Sequence, residues 1–368
     1  MTDSRILVAP DSFKGSLNAS AVGAALAQGI GRTSPQAEVL MHPLADGGEG
    51  TLAALAMAGF DSVDVEVIDS HGRPITALIA RRDDIAVVES AQAVAFEPGA
   101  SPAHALSASS AGVGMMMATA LDMPISRLYL AVGGSATTDG GAGMLHALGA
   151  RFFHEGKELI PEGGASLGKI TSLESDGIHP RVKDVTITLL SDVDNPLLGR
   201  RGAARVFAPQ KGADVAGVDH LEKALEHYAA LVGPDYAMIP GSGAGGGIGF
   251  AALAALGASV TSGATAIMDI TEFDHALNSA SLVITGEGSF DDQSAAGKVP
   301  SAVIAAAVAR GIPVAVVCGV DRRSAAARSE QPGLRVYQLV DIEPSIDRCI
   351  DNAHDLLVLV GEEIGRAS

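Results

Sequence analysis

Short apolar runs followed by polar, glycine-containing loops recur at both ends of the chain. Residues 6–9, 38–41 and 282–285 form such runs, and a segment with the apolar spacing of a helix follows each loop. Repeated strand–loop–helix units are typical of a parallel sheet covered by helices. Further strands at 313–318 and 336–340 and a closing helix from 345 to 364 are predicted to extend this pattern.

A different pattern occupies the middle of the chain. Apolar and polar residues alternate over 63–67 and 75–79, and tight turns precede the next apolar run at 85–89. This period of two predicts antiparallel strands. We therefore predict an α/β domain built from both chain ends, residues 1–62 plus 281–368, with a mixed α/β domain inserted at residues 63–280.

Composition and charge exclude several classes of function. The chain has 368 residues and a net charge of −18, so its overall field disfavours nucleic-acid binding but permits a small anionic substrate held by local donors. No apolar run approaches the ~20 residues that span a bilayer, and the first residues lack the pattern of a secretory signal. Two cysteines form no metal-binding pattern. We expect a cytoplasmic protein that binds no membrane; its oligomeric state stays open.

The loop after residues 281–285 carries an unusual concentration of chemically able groups. Gly286 and Gly288 allow close backbone approach, and the loop also holds three acids, the amide of Gln293 and the ammonium of Lys298. Ligand sites in open α/β sheets form at the carboxyl ends of strands. The pattern favours a functional loop, with a solvated turn as the alternative.

A second glycine-rich loop covers residues 133–143. It follows a strand and precedes an apolar segment, so clustered N–H groups and hydroxyls predict a cradle for phosphate or carboxylate. The alternative is a helix capped by Asp139, with glycines that permit close packing.

The segment from Gly241 to Gly249 contains a G-x-G-x-x-G match at Gly241, Gly243 and Gly246. A dinucleotide-binding loop should directly follow a clear strand, whereas a proline interrupts the short segment before it. A nucleotide-facing loop and a closely packed helix start both stay open. No Walker A motif occurs in the chain.

Acidic residues also end the strand predicted at 185–190. Asp192 and Asp194 could hold Mg²⁺ or accept a proton, and Asn195 could orient a substrate. An Asx-type turn before Pro196 is the alternative.

Taken together, these loops resemble those of the type-1 glycerate kinase family. Characteristic motifs are A-P-D-S-F-K-G-S-L at residues 9–17 and A-D-G-G-E-G-T at residues 45–51. The other matching stretches are residues 133–145, 191–197, 207–213 and 285–300. One departure is Ser289, which stands where the family frequently has arginine and which removes a possible anion contact.

The resemblance implies ATP-dependent phosphorylation of D-glycerate, usually at the 2-hydroxyl, in a cleft between two domains. It also implies that the domain made from both chain ends is flavodoxin-like. ATP is then the co-substrate and Mg²⁺ the metal.

With that reaction in view, each loop receives an expected role. The residues expected to act in catalysis are Lys14, Asp192 and Asp291, with Asp192 also expected to bind the metal. The residues expected to bind substrate are Ser12, Asp46, Glu49, Asn195, Gln293 and Lys298. The residues expected to bind nucleotide are Gly133, Gly134, Ser135, Thr137, Asp139, Gly286 and Gly288.

Two other functions compete with this prediction. The Gly241 segment would suit an NAD-linked dehydrogenase of a small hydroxy acid, and the polar loops would also suit a non-catalytic module that binds an acidic metabolite.

Overall fold

A computed structural model describes most of the chain. It covers residues 5–48, 50–292, 298–330 and 334–367. Of the predicted site residues, Glu49 and Gln293 lie outside the described residues.

The described residues form the following strands and helices. The strands are β1 (Arg5–Val8), β2 (Glu38–Met41), β3 (Asp61–Ile68), β4 (Pro74–Arg82), β5 (Ile85–Glu89), β6 (Arg127–Ala131), β7 (Arg151–His154), β8 (Lys157–Leu159), β9 (Ser172–Glu174), β10 (Thr186–Leu190), β11 (Ser259–Thr261), β12 (Leu282–Phe290), β13 (Val314–Asp321) and β14 (Arg335–Gln338). The helices are α1 (Ala19–Thr33), α2 (Thr51–Met57), α3 (Ala91–Val94), α4 (Pro102–Ser107), α5 (Ala111–Asp122), α6 (Ala142–Ala147), α7 (Ala203–Phe207), α8 (Val215–Val232), α9 (Ile248–Leu256), α10 (Gly263–Ile270), α11 (Phe273–Leu277), α12 (Val299–Val308), α13 (Ala325–Glu330), α14 (Ile346–Asp351) and α15 (Ala353–Ala367).

The chain divides into two compact units. The first consists of Met1–Asp46, Ala53–Gly59 and Ser262–Ser368, and the second of Gly47–Leu52 and Phe60–Thr261. The predicted division into residues 1–62 plus 281–368 and an insert at 63–280 stays a prediction.

A parallel sheet of five strands forms the centre of the first unit. Its order is β14-β13-β12-β1-β2, and every neighbouring pair is parallel. Read from β2, this is the strand order 2-1-3-4-5 of flavodoxin-like folds. The central strands are continuous apolar runs because helices cover both faces of such a sheet. The prediction of an α/β fold with a parallel sheet is confirmed.

The second unit contains a mixed sheet and a small antiparallel sheet. The mixed sheet has the order β11-β10-β6-β5-β4-β3, in which β3, β4 and β5 pair antiparallel and the remaining pairs are parallel. The predicted antiparallel segment is therefore confirmed. The small sheet has the order β8-β7-β9.

Two predicted elements differ from the structure. β12 does not end at residue 285 but continues to Phe290, because Gly286 and the residues after it pair with β13. The closing helix predicted over 345–364 is two helices, α14 and α15, separated at Asn352. The Asn352 side chain donates to the carbonyl of Arg348 at 2.9 Å, which helps end α14.

None of the described helices combines the length and apolar character that crossing a lipid bilayer demands. The cytoplasmic location stays a prediction.

Candidate functional site

A cavity of about 300 Å³ opens at the carboxyl ends of β1 and β12 in the first unit. Ligands of open α/β sheets bind at this edge. Most of the polar groups around the cavity come from the loop after β1 and from the end of β12. The polar lining residues are Asp11, Ser12, Lys14, Ser16, Asp46, Glu287, Ser289, Asp291, Lys298 and Arg322.

The cavity brings together several residues singled out from the sequence, although they are distant along the chain. They are Ser12, Lys14, Asp46, Gly288, Asp291 and Lys298. Lys14 and Asp291, both predicted to act in catalysis, line this cavity together with Asp46, a predicted substrate contact. Their roles in binding and catalysis stay predictions.

Lys14 and Asp46 form an ion pair at the mouth of the cavity. Lys14 Nζ lies 3.6 Å from Asp46 Oδ2. The carboxylate raises the pKa of the lysine, so Lys14 stays charged at neutral pH. The Lys14 side chain is 72% exposed, and exposed ion pairs contribute little to stability. Its ammonium is therefore accessible to an anionic ligand.

Asp11 lies much deeper in the same cavity. It is 6% exposed, and its Oδ1 accepts the backbone N–H of Ser12 at 2.6 Å. Burial and the neighbouring negative charge of Asp46 raise the pKa of Asp11 from 3.8 to about 7. Glu287, 7% exposed, adds to this effect, while Lys14 opposes it. A carboxyl group in a cavity with a pKa raised to about 7 is typical of functional sites.

Arg322 supplies a further cation to the cavity. It follows β13, and its backbone N–H donates to the carbonyl of Phe290 at 2.7 Å, which holds it beside the end of β12. Ser289, the position that lacks the arginine frequent in the resembled family, lines the same cavity. An arginine thus lines the cavity from a different position in the chain.

Gly286 and Gly288 lie within a strand and not in the loop that the sequence predicted. A Cβ at Gly286 would lie 2.0 Å from the carbonyl oxygen of Val317, so close pairing with β13 requires glycine there. The carbonyl of Gly286 accepts the N–H of Asp11 at 2.8 Å. Strand packing accounts for Gly286, and nucleotide binding at both glycines stays a prediction.

The glycine-rich loop of the second unit runs from the end of β6 to α6. Asp139 is fully buried in it and accepts hydrogen bonds from the N–H groups of Gly141 and Gly143 and from the N–H and hydroxyl of Ser110. The donors at the start of α6 are therefore occupied within the protein. At these donors the geometry matches the capping alternative, while the anion cradle and a contact of Asp139 with nucleotide stay predictions.

The remaining residues of this loop differ in accessibility. Gly134 is exposed and Gly133 half-buried, whereas Ser135 and Thr137 are buried. A Cβ at Gly133 would lie 2.6 Å from the Cα of Gly48, which gives this glycine a packing role. If the loop contacts nucleotide, Gly133 and Gly134 offer the accessible backbone.

Lys211 supports the same loop from inside the unit. It is 4% exposed, and its Nζ donates to the carbonyl of Thr137 at 2.6 Å. Burial lowers the pKa of Lys211 from 10.5 to about 8.

The Gly241 segment packs against this loop instead of following a strand. In the described residues between α8 and α9 there are only 3₁₀ turns, at Pro234–Tyr236 and Ala244–Gly247. A Cβ at Gly246 would lie 1.8 Å from the carbonyl oxygen of Thr137. Close packing explains these glycines, and the strand that a dinucleotide-binding loop requires is not found there.

Asp192 and Asn195 follow β10 in the second unit. Asp192 is exposed, and the Asn195 side-chain amide donates to the carbonyl of Arg201 at 2.7 Å. Neighbouring Asp194 pairs with Arg201 at 2.5 Å, both side chains being largely exposed. Asp194 is therefore paired with Arg201, and metal binding at Asp192 stays a prediction.

Another set of potential metal ligands lies elsewhere in the second unit. His71, Glu97 and His104 place ligand atoms within 4.8 Å of one another. The two imidazole rings stack at 3.7 Å with an interplanar angle of 13°, and His71 Nε2 lies 3.2 Å from Glu97 Oε1. A metal ion requires ligand lone pairs that converge on one point, and two nearly parallel imidazole rings do not provide them. The set is better described as a His71–Glu97 pair with His104 stacked on His71.

Comparison with known proteins places these features in a family. The sequence model described as "Glycerate kinase family" matches residues 6–368. The chain belongs to the glycerate kinase family. The glycerate kinase of Halalkalibacterium halodurans is 36% identical over 99% of this chain and 98% of that relative. The glycerate 2-kinase of Escherichia coli K12 is 38% identical over 86% of this chain and 85% of that relative.

A solved structure agrees with this assignment. The crystal structure of a candidate glycerate kinase 2 from Salmonella typhimurium LT2 superposes with a TM-score of 0.83 at 34% identity. The match covers 100% of this chain and 98% of that one. The family predicted from the motifs is thereby confirmed.

Sequence reasoning missed four polar residues of these sites. They are Asp11, Glu287, Arg322 and Lys211. Asp11 lies in the family motif at residues 9–17 and Glu287 in that at residues 285–300, and their position next to apolar runs is the sequence signal for burial. The placement of Arg322 and Lys211 depends on packing between distant segments.

Proposed function

We propose that the protein transfers the γ-phosphoryl group of ATP to the 2-hydroxyl of D-glycerate, giving 2-phosphoglycerate and ADP. Membership of the glycerate kinase family over nearly the whole chain is the observation that carries this proposal. The cavity of the first unit supports it, because a volume of about 300 Å³ with cationic and carboxylate groups suits a small hydroxy acid.

The cations of the cavity would bind the substrate's carboxylate. Lys14, Lys298 and Arg322 line the cavity, and an arginine can hold a carboxylate through two parallel hydrogen bonds. Ser12, Asp46 and Asp291 would position the hydroxyl groups through hydrogen bonds. Glu49, Gln293 and Asn195 stay predicted substrate contacts.

The nucleotide would use backbone groups and a metal ion. Gly133 and Gly134 are the accessible members of the predicted phosphate loop. Asp192 fits a Mg²⁺ ligand, because Mg²⁺ usually takes one or two carboxylates and completes its shell with waters and phosphate oxygens. Bound Mg²⁺ would neutralise phosphate charge. Because Asp192 is exposed, metal binding suits it better than proton transfer. Asp192→Asn should therefore raise the Mg²⁺ concentration needed for half-maximal turnover. The predicted position of the site between two domains stays a prediction.

A coupled assay of ADP formation tests the proposed function. With D-glycerate, Mg²⁺ and ATP, we expect ADP to form continuously, with a much lower rate for L-glycerate and none without acceptor. Equal ADP formation with and without acceptor would show ATP hydrolysis and contradict the proposal. NADH with hydroxypyruvate should give no absorbance change, which separates this function from a dehydrogenase.

A further inference from the structure

Asp11 is the most deeply buried carboxyl group that lines the cavity, and it has no assigned role. It follows β1, the strand next to the middle of the parallel sheet, and is 94% buried. Its backbone N–H donates to the carbonyl of Gly286 on β12 at 2.8 Å. The main chain on which Asp11 sits is therefore fixed by pairing with a neighbouring strand.

The carboxyl group of Asp11 is oriented as well as buried. Its Oδ1 accepts the N–H of Ser12 at 2.6 Å, and no hydrogen bond from another described residue reaches Oδ2. One oxygen is thus anchored while the other can accept a proton from a ligand in the cavity. A general base requires a fixed position together with an oxygen whose lone pair can accept the proton of the reacting hydroxyl.

The charges around Asp11 set its proton affinity. Asp46 and Glu287 are negative and favour the protonated form, whereas Lys14 is positive and favours the ionised form. Lys14 is paired with Asp46 at 3.6 Å, which limits how far it offsets the two acids. Together with burial, these charges raise the pKa of Asp11 to about 7. With this pKa, a large fraction of the group is ionised at neutral pH and the carboxylate is basic enough to accept a proton.

We propose that Asp11 is the general base that removes the proton of the glycerate hydroxyl during phosphoryl transfer. This inference rests on the proposed function. The hydroxyl O–H bond breaks and its proton moves to Asp11 Oδ2, while the hydroxyl oxygen forms a bond to the γ-phosphorus of ATP. The bond between the γ-phosphorus and the bridging oxygen breaks, its electron pair leaves with ADP, and Asp11 then releases the proton to solvent.

The neighbours of Asp11 offer a test that leaves Asp11 itself intact. The base must be ionised, so kcat/KM of the wild-type enzyme should rise with pH through about 7 and then level off. Asp46→Asn removes a like charge and should move this rise to lower pH. Lys14→Met removes the opposing cation and should move it to higher pH. A rise that neither substitution displaces would overturn the assignment, whatever the absolute rates of the two variants.

Direct replacement supplies the second test. Asp11→Asn keeps the shape of the side chain but cannot accept the proton, and kcat should fall by roughly 10²–10⁴. Far-UV circular dichroism shows whether the variant is folded. Asp291→Asn is the matched comparison, because Asp291 lines the same cavity; it should retain the wild-type pH profile. If Asp11→Asn keeps more than about a third of the wild-type kcat, or if Asp291→Asn alone abolishes the rise, Asp11 is not the base.

The two levels of the proposal fail differently. A wild-type enzyme that forms no ADP with D-glycerate contradicts the proposed function. A wild-type enzyme that forms ADP, with an Asp11→Asn variant equally active, contradicts only the role of Asp11.

Discussion

Replacing Asp11 with asparagine should stabilise the protein at pH 8 while it removes activity. Asp11 is 6% exposed, and burial together with Asp46 raises its pKa from 3.8 to about 7. Between these two values the folded chain holds a proton that the unfolded chain has released. Unfolding in this range releases a proton, and a higher pH favours that release. The free energy of unfolding therefore falls as the pH rises from about 4 to about 7.

The size of this effect follows from the same interval. One pKa unit corresponds to about 1.4 kcal/mol, so the interval from 3.8 to about 7 corresponds to roughly 4 kcal/mol at pH 8. Asparagine carries no charge at any of these pH values and avoids this cost. We expect Asp11→Asn to exceed the wild type in free energy of unfolding by up to about 4 kcal/mol at pH 8, and by less than about 1 kcal/mol at pH 4.

Urea unfolding followed by far-UV circular dichroism measures this difference. Wild type and variant should be compared without substrate at pH 4, 6 and 8. At each pH, groups that titrate alike in both proteins drop out of the difference in free energy of unfolding. Asp355→Asn is the control, because its side chain is 88% exposed and should change stability by less than about 0.5 kcal/mol. An Asp11→Asn variant that is less stable at pH 8, or a difference that does not change with pH, would refute the reasoning.

Three further substitutions probe packing, a buried ion pair and substrate binding. Gly246→Ala places a Cβ 1.8 Å from the carbonyl oxygen of Thr137. Its loss of stability in urea should be several times the ~1–2 kcal/mol of the control Gly257→Ala, which has a similar φ and no atom within 4 Å of the added Cβ. Equal losses for the two variants would contradict the packing role of Gly246. Asp321→Ala removes the carboxylate that pairs with buried Arg323 at 2.9 Å and should cost about 3–5 kcal/mol, against less than about 1 kcal/mol for Asp194→Ala in its exposed pair with Arg201. Arg322→Gln should raise the KM for D-glycerate about tenfold or more, with the KM for ATP unchanged, whereas exposed Arg335→Gln should leave both constants unchanged.

Much of the fold could be predicted from local patterns. Continuous apolar runs before polar loops indicated the parallel strands β1, β2 and β12, and the period of two indicated β3 to β5. The sequence pattern predicts a functional loop at the glycines after residue 285, but pairing with β13 keeps them in a strand. That pairing joins segments about thirty residues apart, so no local pattern reports it.

The candidate site was predicted in part. The rule that ligands bind at the carboxyl ends of strands drew attention to Lys14, Asp46 and Asp291, which do line one cavity. No sequence pattern singles out Asp11, because its importance comes from burial and from neighbouring charges, and these depend on the folded chain. Asp139 depends on the folded chain in the same way, because its oxygens accept the N–H groups of Gly141 and Gly143 at the start of α6, and its predicted contact with nucleotide stays a prediction.

Phosphorus NMR of the reaction itself tests the central claim most directly. The protein should be mixed with Mg²⁺, ATP and ¹³C-labelled D-glycerate, and phosphorus and carbon spectra should be recorded with time. We predict a new phosphate monoester on the 2-oxygen, whose phosphorus couples over two bonds to C2 and over three bonds to C1 and C3, formed in equal amount to ADP. A monoester whose phosphorus couples to C2 and C3 but not to C1 would contradict the proposed product, and inorganic phosphate without any ester would contradict the kinase activity.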